Sequence, residues 1–141
     1  LDKKKEQETG VAGRNLNRRR QLEKYFAYKE ELRYLAAKGG FVMPMECFCI
    51  VFHIEHPRTW RKWKIAANVG KPHQSKPDAD NLLKAMFDAI IPKKNRSKGE
   101  KGRDDKELWC YAVFKYWAAD GGGKIEVLEY DKEEYLNVFG V

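Results

Sequence analysis

Asp78 and Asp80 stand two residues apart in the run Lys76-Pro77-Asp78-Ala79-Asp80-Asn81-Leu82-Leu83-Lys84, with Asp88 one helical turn further on. A second acidic pair, Asp104-Asp105, follows a basic stretch and precedes an apolar one. Carboxylate oxygens are hard ligands. Mg²⁺ takes oxygen donors in octahedral geometry and keeps several waters, so two or three aspartates suffice to hold it. An ion held this way lowers the pKa of bound water and screens charge on phosphorus, which is the chemistry of phosphodiester hydrolysis. No Ser/His/Asp or Cys/His set is apparent as an alternative nucleophile.

Each of these residues also has a plainer reading. Pro77 biases Lys76 toward extended backbone, and if 78–80 is extended as well, both carboxylates project to one side about 6–7 Å apart. Asp80 is equally a good helix N-cap, so a cap-and-turn role competes with metal for this pair. A cap accounts for one aspartate and leaves Asp78 idle. Lys84 lies one turn after Asp80 on the same face. It suits an i,i+4 ion pair or an ammonium directed at a phosphate oxygen. Asp88 is expected to partner Lys84 or an arginine.

The surroundings of the motif are basic. Net charge is +7 over 141 residues, which favours polyanionic partners without deciding the matter. Its distribution says more. Residues 57–76 carry six basic side chains and no acid, and residues 92–106 carry seven against three, whereas 124–141 is net acidic. No apolar run is long enough to span a bilayer, and no secretory signal is visible. The chain does not begin with Met, which leaves room for an upstream segment. Cys47, Cys49 and Cys110 all fall in apolar runs, with Cys47 and Cys49 on one strand face, and read as buried reduced thiols of a cytoplasmic protein.

One domain must position these groups. Residues 1–15 read as a mobile charged arm, and 16–141 as a single domain. A helix is expected over 16–37, with Leu22, Tyr25, Phe26, Leu32 and Leu35 as its apolar stripe. Alternation predicts a strand over 45–55, with Phe48, Ile50, Phe52 and Ile54 facing one way. Residues 56–77 form a long basic connection with a short helix at 60–64, and a connection of that length is usually functional or mobile. A helix over 80–91 buries Leu82, Leu83, Met86 and Ile90 and turns Asn81, Lys84 and Asp88 outward. Residues 93–103 form a basic loop. Strands over 107–117 and 124–130 flank the Asp120–Gly123 turn and predict a terminal antiparallel hairpin. The outcome is an α/β (α+β) domain with a small mixed sheet, helices packed on it and a crossover through the central helix.

With these residues in place, the chain resembles the RusA-type Holliday junction resolvases, small bacterial and phage endodeoxyribonucleases. The likeness lies in Lys76 to Lys84, in Asp88, and in Asp104-Asp105-Lys106 before the next strand. Pro57-Arg58-Thr59-Trp60 and the Gly-rich turn into Ile125-Glu126-Val127 are similar too. The resemblance spans roughly 16–130. It implies Asp78, Asp80 and Asp105 as metal-binding carboxylates, Lys84 as the catalytic lysine, Mg²⁺ or Mn²⁺ as cofactor, and a homodimer that nicks both strands of a four-way junction. Family members carry an N-terminal strand ahead of the first helix, and residues 1–15 here are charged and show none.

For such a substrate, Arg58, Arg61, Lys62, Lys64 and Lys76 are the candidate phosphate contacts, and Trp60 or Trp63 the base-stacking groups. Core packing competes for the tryptophans, and a solubilising surface for the lysines. Two other functions compete: a branched-DNA-binding module that has lost catalysis, and a hydrolase of small phosphates. Whether one ion or two would be held is open.

Overall fold

The computed structural model describes residues 2–91, 105–119 and 122–139. Strand β1 (Phe48–Ile54) lies at its centre because Phe48, Ile50 and Phe52 are fully buried on one face and Cys49 is buried on the other. A strand covered on both faces belongs in the middle of a sheet. It pairs in parallel with β2 (Tyr111–Trp117), in register from Phe48↔Tyr111 to Ile54↔Trp117. On its other edge it pairs antiparallel with β3 (Lys124–Glu129), from Phe48↔Glu129 to His53↔Lys124. The order is β2-β1-β3, a small mixed sheet of the class expected.

The predicted terminal hairpin is corrected by this order. β2 and β3 are consecutive but not paired, and β1 lies between them. The reason is burial: a β2–β3 hairpin would leave the most apolar strand at an edge with one row of backbone groups unpaired. The chain leaving β2 instead crosses the end of β1, where Ala118 N donates to Ile54 O at 2.8 Å. Asp120 and Gly121 of the predicted turn, and the basic loop 93–103, lie outside the described residues.

Helix α3 (Ala79–Ile90) covers the sheet, burying Leu82, Ala85, Met86 and Phe87. Leu82, Met86 and Phe87 join Phe48, Ile50, Phe52, Ile91 and Leu32 in one core. Phe87 stands edge-on to Tyr111, ring centres 5.8 Å apart, so the start of β2 meets the third turn of α3. Helix α1 (Asp2–Gly39) packs on α3. It begins well before residue 16. Residues 2–15 have helical backbone continuous with the rest, since Lys, Glu and Gln are good helix formers and no proline intervenes. Of the predicted stripe only Leu32 is buried, while Leu22, Phe26 and Leu35 are about half exposed. One helix neighbour gives α1 a single line of contact, too narrow to cover five apolar residues.

Helix α2 (Lys62–Asn68) is the short helix of the basic connection, two residues later than predicted. Helix α4 (Lys132–Phe139) lies outside the predicted elements. Asp131 starts it, its Oδ1 accepting from the Glu133 and Glu134 amides at 2.9 and 3.4 Å. The three thiols are free and buried. Cys47 precedes β1 with a positive φ of 52°, so it does not share a strand face with Cys49. Its Sγ donates to Cys110 Sγ at 3.2 Å. Burial, and then that hydrogen bond, push the Cys47 thiol up to about 11. Among the described residues no helix is long and apolar enough to cross a membrane.

Candidate active site at the start of α3

The acidic motif straddles a helix boundary. Asp78 is extended (φ −70°, ψ 148°) and caps α3 through its backbone, its carbonyl accepting from Leu82 N at 3.1 Å. Asp80 lies in the first helical turn. Two expectations are corrected here, Asp80 as the cap and 78–80 as extended backbone. The helix starts at Ala79, one residue earlier than predicted, because the residue after Pro77 is free to turn into it. The Asp78 side chain makes no capping hydrogen bond. Its carboxylate and that of Asp80 are exposed, and among the described residues neither has a hydrogen-bond or ion-pair partner.

Lys84, one turn further on, is exposed and likewise without a partner among the described residues, so no i,i+4 pair with Asp80 forms. About 6 Å of helix rise separates the two. Asp88 accepts at Oδ2 from the Tyr25 hydroxyl of α1 at 2.8 Å, and among the described residues it pairs with neither Lys84 nor an arginine. The structure therefore presents two carboxylates and one ammonium on the opening turns of a single helix, all without a partner among the described residues.

Asp105 opens a short 3₁₀ turn (Asp105–Glu107) leading to β2, and Asp104 lies outside the described residues. Asp105 lies six residues before Tyr111, where the start of β2 meets the third turn of α3. Its carboxylate is not among the described side chains, and among those that are, no three His, Cys, Asp or Glu groups come together. Two hard oxygen donors with no competing partner among the described residues fit a Mg²⁺ ion that keeps most of its waters.

What holds Asp78 in place was not legible in the sequence. The Lys115 ammonium, on β2, donates to Ser75 O and Pro77 O, each at 2.7 Å. The approach to Asp78, which includes a cis Lys76–Pro77 bond, is thereby tied to the sheet. A lysine inside Tyr111-Ala112-Val113-Phe114-Lys115-Tyr116-Trp117 is an anomaly in an aromatic and β-branched strand. That anomaly was the available signal, but its partners lie 38 and 40 residues away.

The basic connection is pinned to the same end of β2. Pro72 bridges to Tyr116, His73 N donates to Lys115 O at 2.9 Å, and Trp117 N donates to Lys71 O at 2.9 Å. Trp60 packs on Trp117 at 4.5 Å, and Lys64 Nζ sits 4.6 Å above the Trp60 ring. His73 also packs on Trp117, ring centres 4.1 Å apart. It is buried, and burial and the Lys115 charge lower its pKa, so the ring is held neutral. Trp60 is thus committed to packing, whereas Trp63 is 69% exposed. Arg58, Arg61, Lys62, Lys64 and Lys76 are all exposed.

An α+β domain that sets two exposed carboxylates beside a cationic loop is thus built at the carboxyl end of β2. A family model described as Endodeoxyribonuclease RusA matches residues 4–128, from the first turn of α1 almost to the end of β3. The chain belongs to this family, and endodeoxyribonuclease activity of the Holliday junction resolvase kind is its function at the family level. No curated protein and no solved structure matches the chain.

Proposed function

We propose that this chain resolves four-way DNA junctions in recombination and repair, as a homodimer making paired hydrolytic nicks with Mg²⁺, or Mn²⁺ in its place. Asp78, Asp80 and Asp105 are the metal-binding carboxylates and Lys84 the catalytic lysine. The observation that carries this reading is that Asp78, Asp80 and Lys84, on one helix end, have no partner among the described residues. A structural role would engage them, in a cap bond or an i,i+4 pair, and neither is made.

When bound, a divalent ion supplies Lewis acidity and a water of lowered pKa. The protein's own groups do the rest. Asp78 and Asp80 orient ligand oxygens from a rigid helix end whose approach is held by Lys115. Lys84 places a positive charge where a non-bridging phosphate oxygen gains charge in the transition state. Arg58, Arg61, Lys62, Lys64 and Lys76 align the backbone, and exposed Trp63, rather than packed Trp60, stacks on a base opened at the branch. Two-fold substrate symmetry calls for two active sites, which a symmetric dimer supplies. The substrate places the enzyme in the cytoplasm.

The deciding experiment incubates the protein with Mg²⁺ and a labelled four-way junction beside a matched linear duplex. Symmetric nicks confined to the branched substrate are the expected result. Junction binding without cleavage, in Mg²⁺ and in Mn²⁺ alike, would mark a binding module instead.

Lys115→Met gives a second expectation. Losing two hydrogen bonds to the Asp78 approach should raise the Mg²⁺ concentration for half-maximal cleavage by about 10-fold, the lower end for groups that orient metal ligands. High Mg²⁺ should restore the rate. A deficit that no Mg²⁺ concentration repairs would mean that Lys115 does not act through the carboxylates.

A further inference from the structure

Residues 13–24 of α1 form about three turns of helix that bury no side chain. Those twelve residues are exposed without interruption, and the next residue, Tyr25, is partly covered and reaches α3. Helices are normally kept by burying a face. This stretch buries none, and it is strongly basic: Arg14, Arg18, Arg19, Arg20 and Lys24 face one acid, Glu23. Among the described residues Arg18, Arg19, Arg20 and Lys24 have no ion-pair partner. Later in the helix the pattern changes, and Arg33 pairs with Glu30.

Successive residues advance about 100° around a helix, so Arg18, Arg19 and Arg20 sweep about 200° of its circumference. A rod that is cationic on most of its sides suits a groove with phosphates on both walls. The DNA major groove is about 12 Å wide and admits one α-helix. Arginine is also the side chain best matched to phosphate oxygens.

The direction of the rod follows from its packing. Tyr25 meets Asp88, near the end of α3, and residues 13–24 just before it are exposed, so later turns of α1 must cover earlier turns of α3. The two helices run antiparallel, and residues 13–24 project beyond the end of α3 opposite Asp78. Asp80 to Asp88 and Tyr25 back to Arg19 add to about 20 Å along the axis. That distance is about six base pairs at 3.4 Å each.

We propose that the exposed segment 13–24 of α1, through Arg18, Arg19, Arg20 and Lys24, grips a duplex arm of the DNA substrate about six base pairs from the cleavage site. The proposal rests on the junction-cleaving function above and adds a second contact surface to it. Exposed Leu22 and Phe26 on the same segment offer the competing use, self-association.

The test compares the full-length protein with an Arg18→Gln, Arg19→Gln, Arg20→Gln variant by hydroxyl-radical footprinting on a four-way junction. Wild type should protect the backbone at the branch and again about six base pairs along an arm. The variant should keep the first protection and lose the second. Its log-log salt dependence of binding should flatten by about 2–3, near 0.9 for each phosphate no longer neutralised. Cleavage at saturating protein should be unchanged. Glutamine preserves helix propensity, and the corresponding triple lysine variant, which keeps the charge, should retain most of the salt dependence. Protection at the branch with none on the arm, or an arm footprint and salt slope that survive the glutamines, would overturn the proposal alone. So would a wild-type oligomer that Leu22→Lys dissolves while the glutamine variant binds DNA normally. Absence of any protection at the branch would bring down the junction reading itself, and this proposal with it.

Discussion

Asp78→Asn leaves a folded protein that cuts at no more than about one thousandth of the wild-type rate, the scale of losing one preorganised electrostatic group at a reacting centre. The companion variant Asp78→Ala carries the structural half of the expectation. Removing a working N-cap costs about 1 kcal/mol. Asp78 makes no side-chain capping bond, so in metal-free buffer Asp78→Ala should stay within about 0.5 kcal/mol of wild type, the range of ordinary surface changes. Two small effects oppose each other here. A carboxylate at a helix N-terminus contributes about 0.3–1 kcal/mol, and relief of its repulsion with Asp80 returns part of that. Urea melts in chelator measure the balance. Mg²⁺ then supplies a readout independent of activity. Wild type should gain stability with the logarithm of ion concentration, and Asp78→Asn should not. A metal-free loss above about 1 kcal/mol in Asp78→Ala would assign the residue to capping.

Lys84→Ala is expected to lower the saturated cleavage rate by about 10²-fold or more, with junction affinity nearly intact. Alanine is at least as good a helix former as lysine, so α3 is not weakened. Lys84 has no partner to orphan among the described residues, which removes the usual structural explanation for such a loss. If Lys84 were only one more phosphate contact, its removal would weaken binding uniformly and flatten the salt dependence by about 0.9. Single-turnover cleavage at saturating protein, read beside a salt titration of binding, separates the two. Matched losses in rate and affinity would deny it a role in the chemical step.

Both expectations follow from how the site is mounted. The carboxylates sit on the first turn of a helix whose body is locked by Leu82, Met86 and Phe87 against β1 and β2. The peptide leading into that turn is held by Lys115 from the sheet. The basic connection is fastened to the last residues of β2 by Trp60, Pro72 and His73. Asp78, Asp80, Lys84 and the cationic surface therefore share one end of the sheet, although 57–76 and 78–84 could have been sent to different places by a different crossover.

Much of this arrangement is written locally in the chain. The α3 motif is legible because helical spacing alone sets which of Leu82, Met86, Asn81 and Lys84 share a face. The centrality of β1 is half legible: alternation marks Phe48, Ile50, Phe52 and Ile54 as one face, but burial of Cys49 on the other depends on distant residues. Asp131-Lys132-Glu133-Glu134 carries a helix-start signature, and α4 begins there. Local patterns of this kind are encoded by neighbours within a turn or two, so sequence by itself determines them. The pairing of β1 with both β2 and β3, the tether from Lys115 to Ser75 and Pro77, the Asp88–Tyr25 bond and the solvent exposure of Leu22 and Phe26 all join or separate residues across tens of positions. Such relations depend on which surfaces the folded chain leaves covered, and only the tertiary structure could decide them.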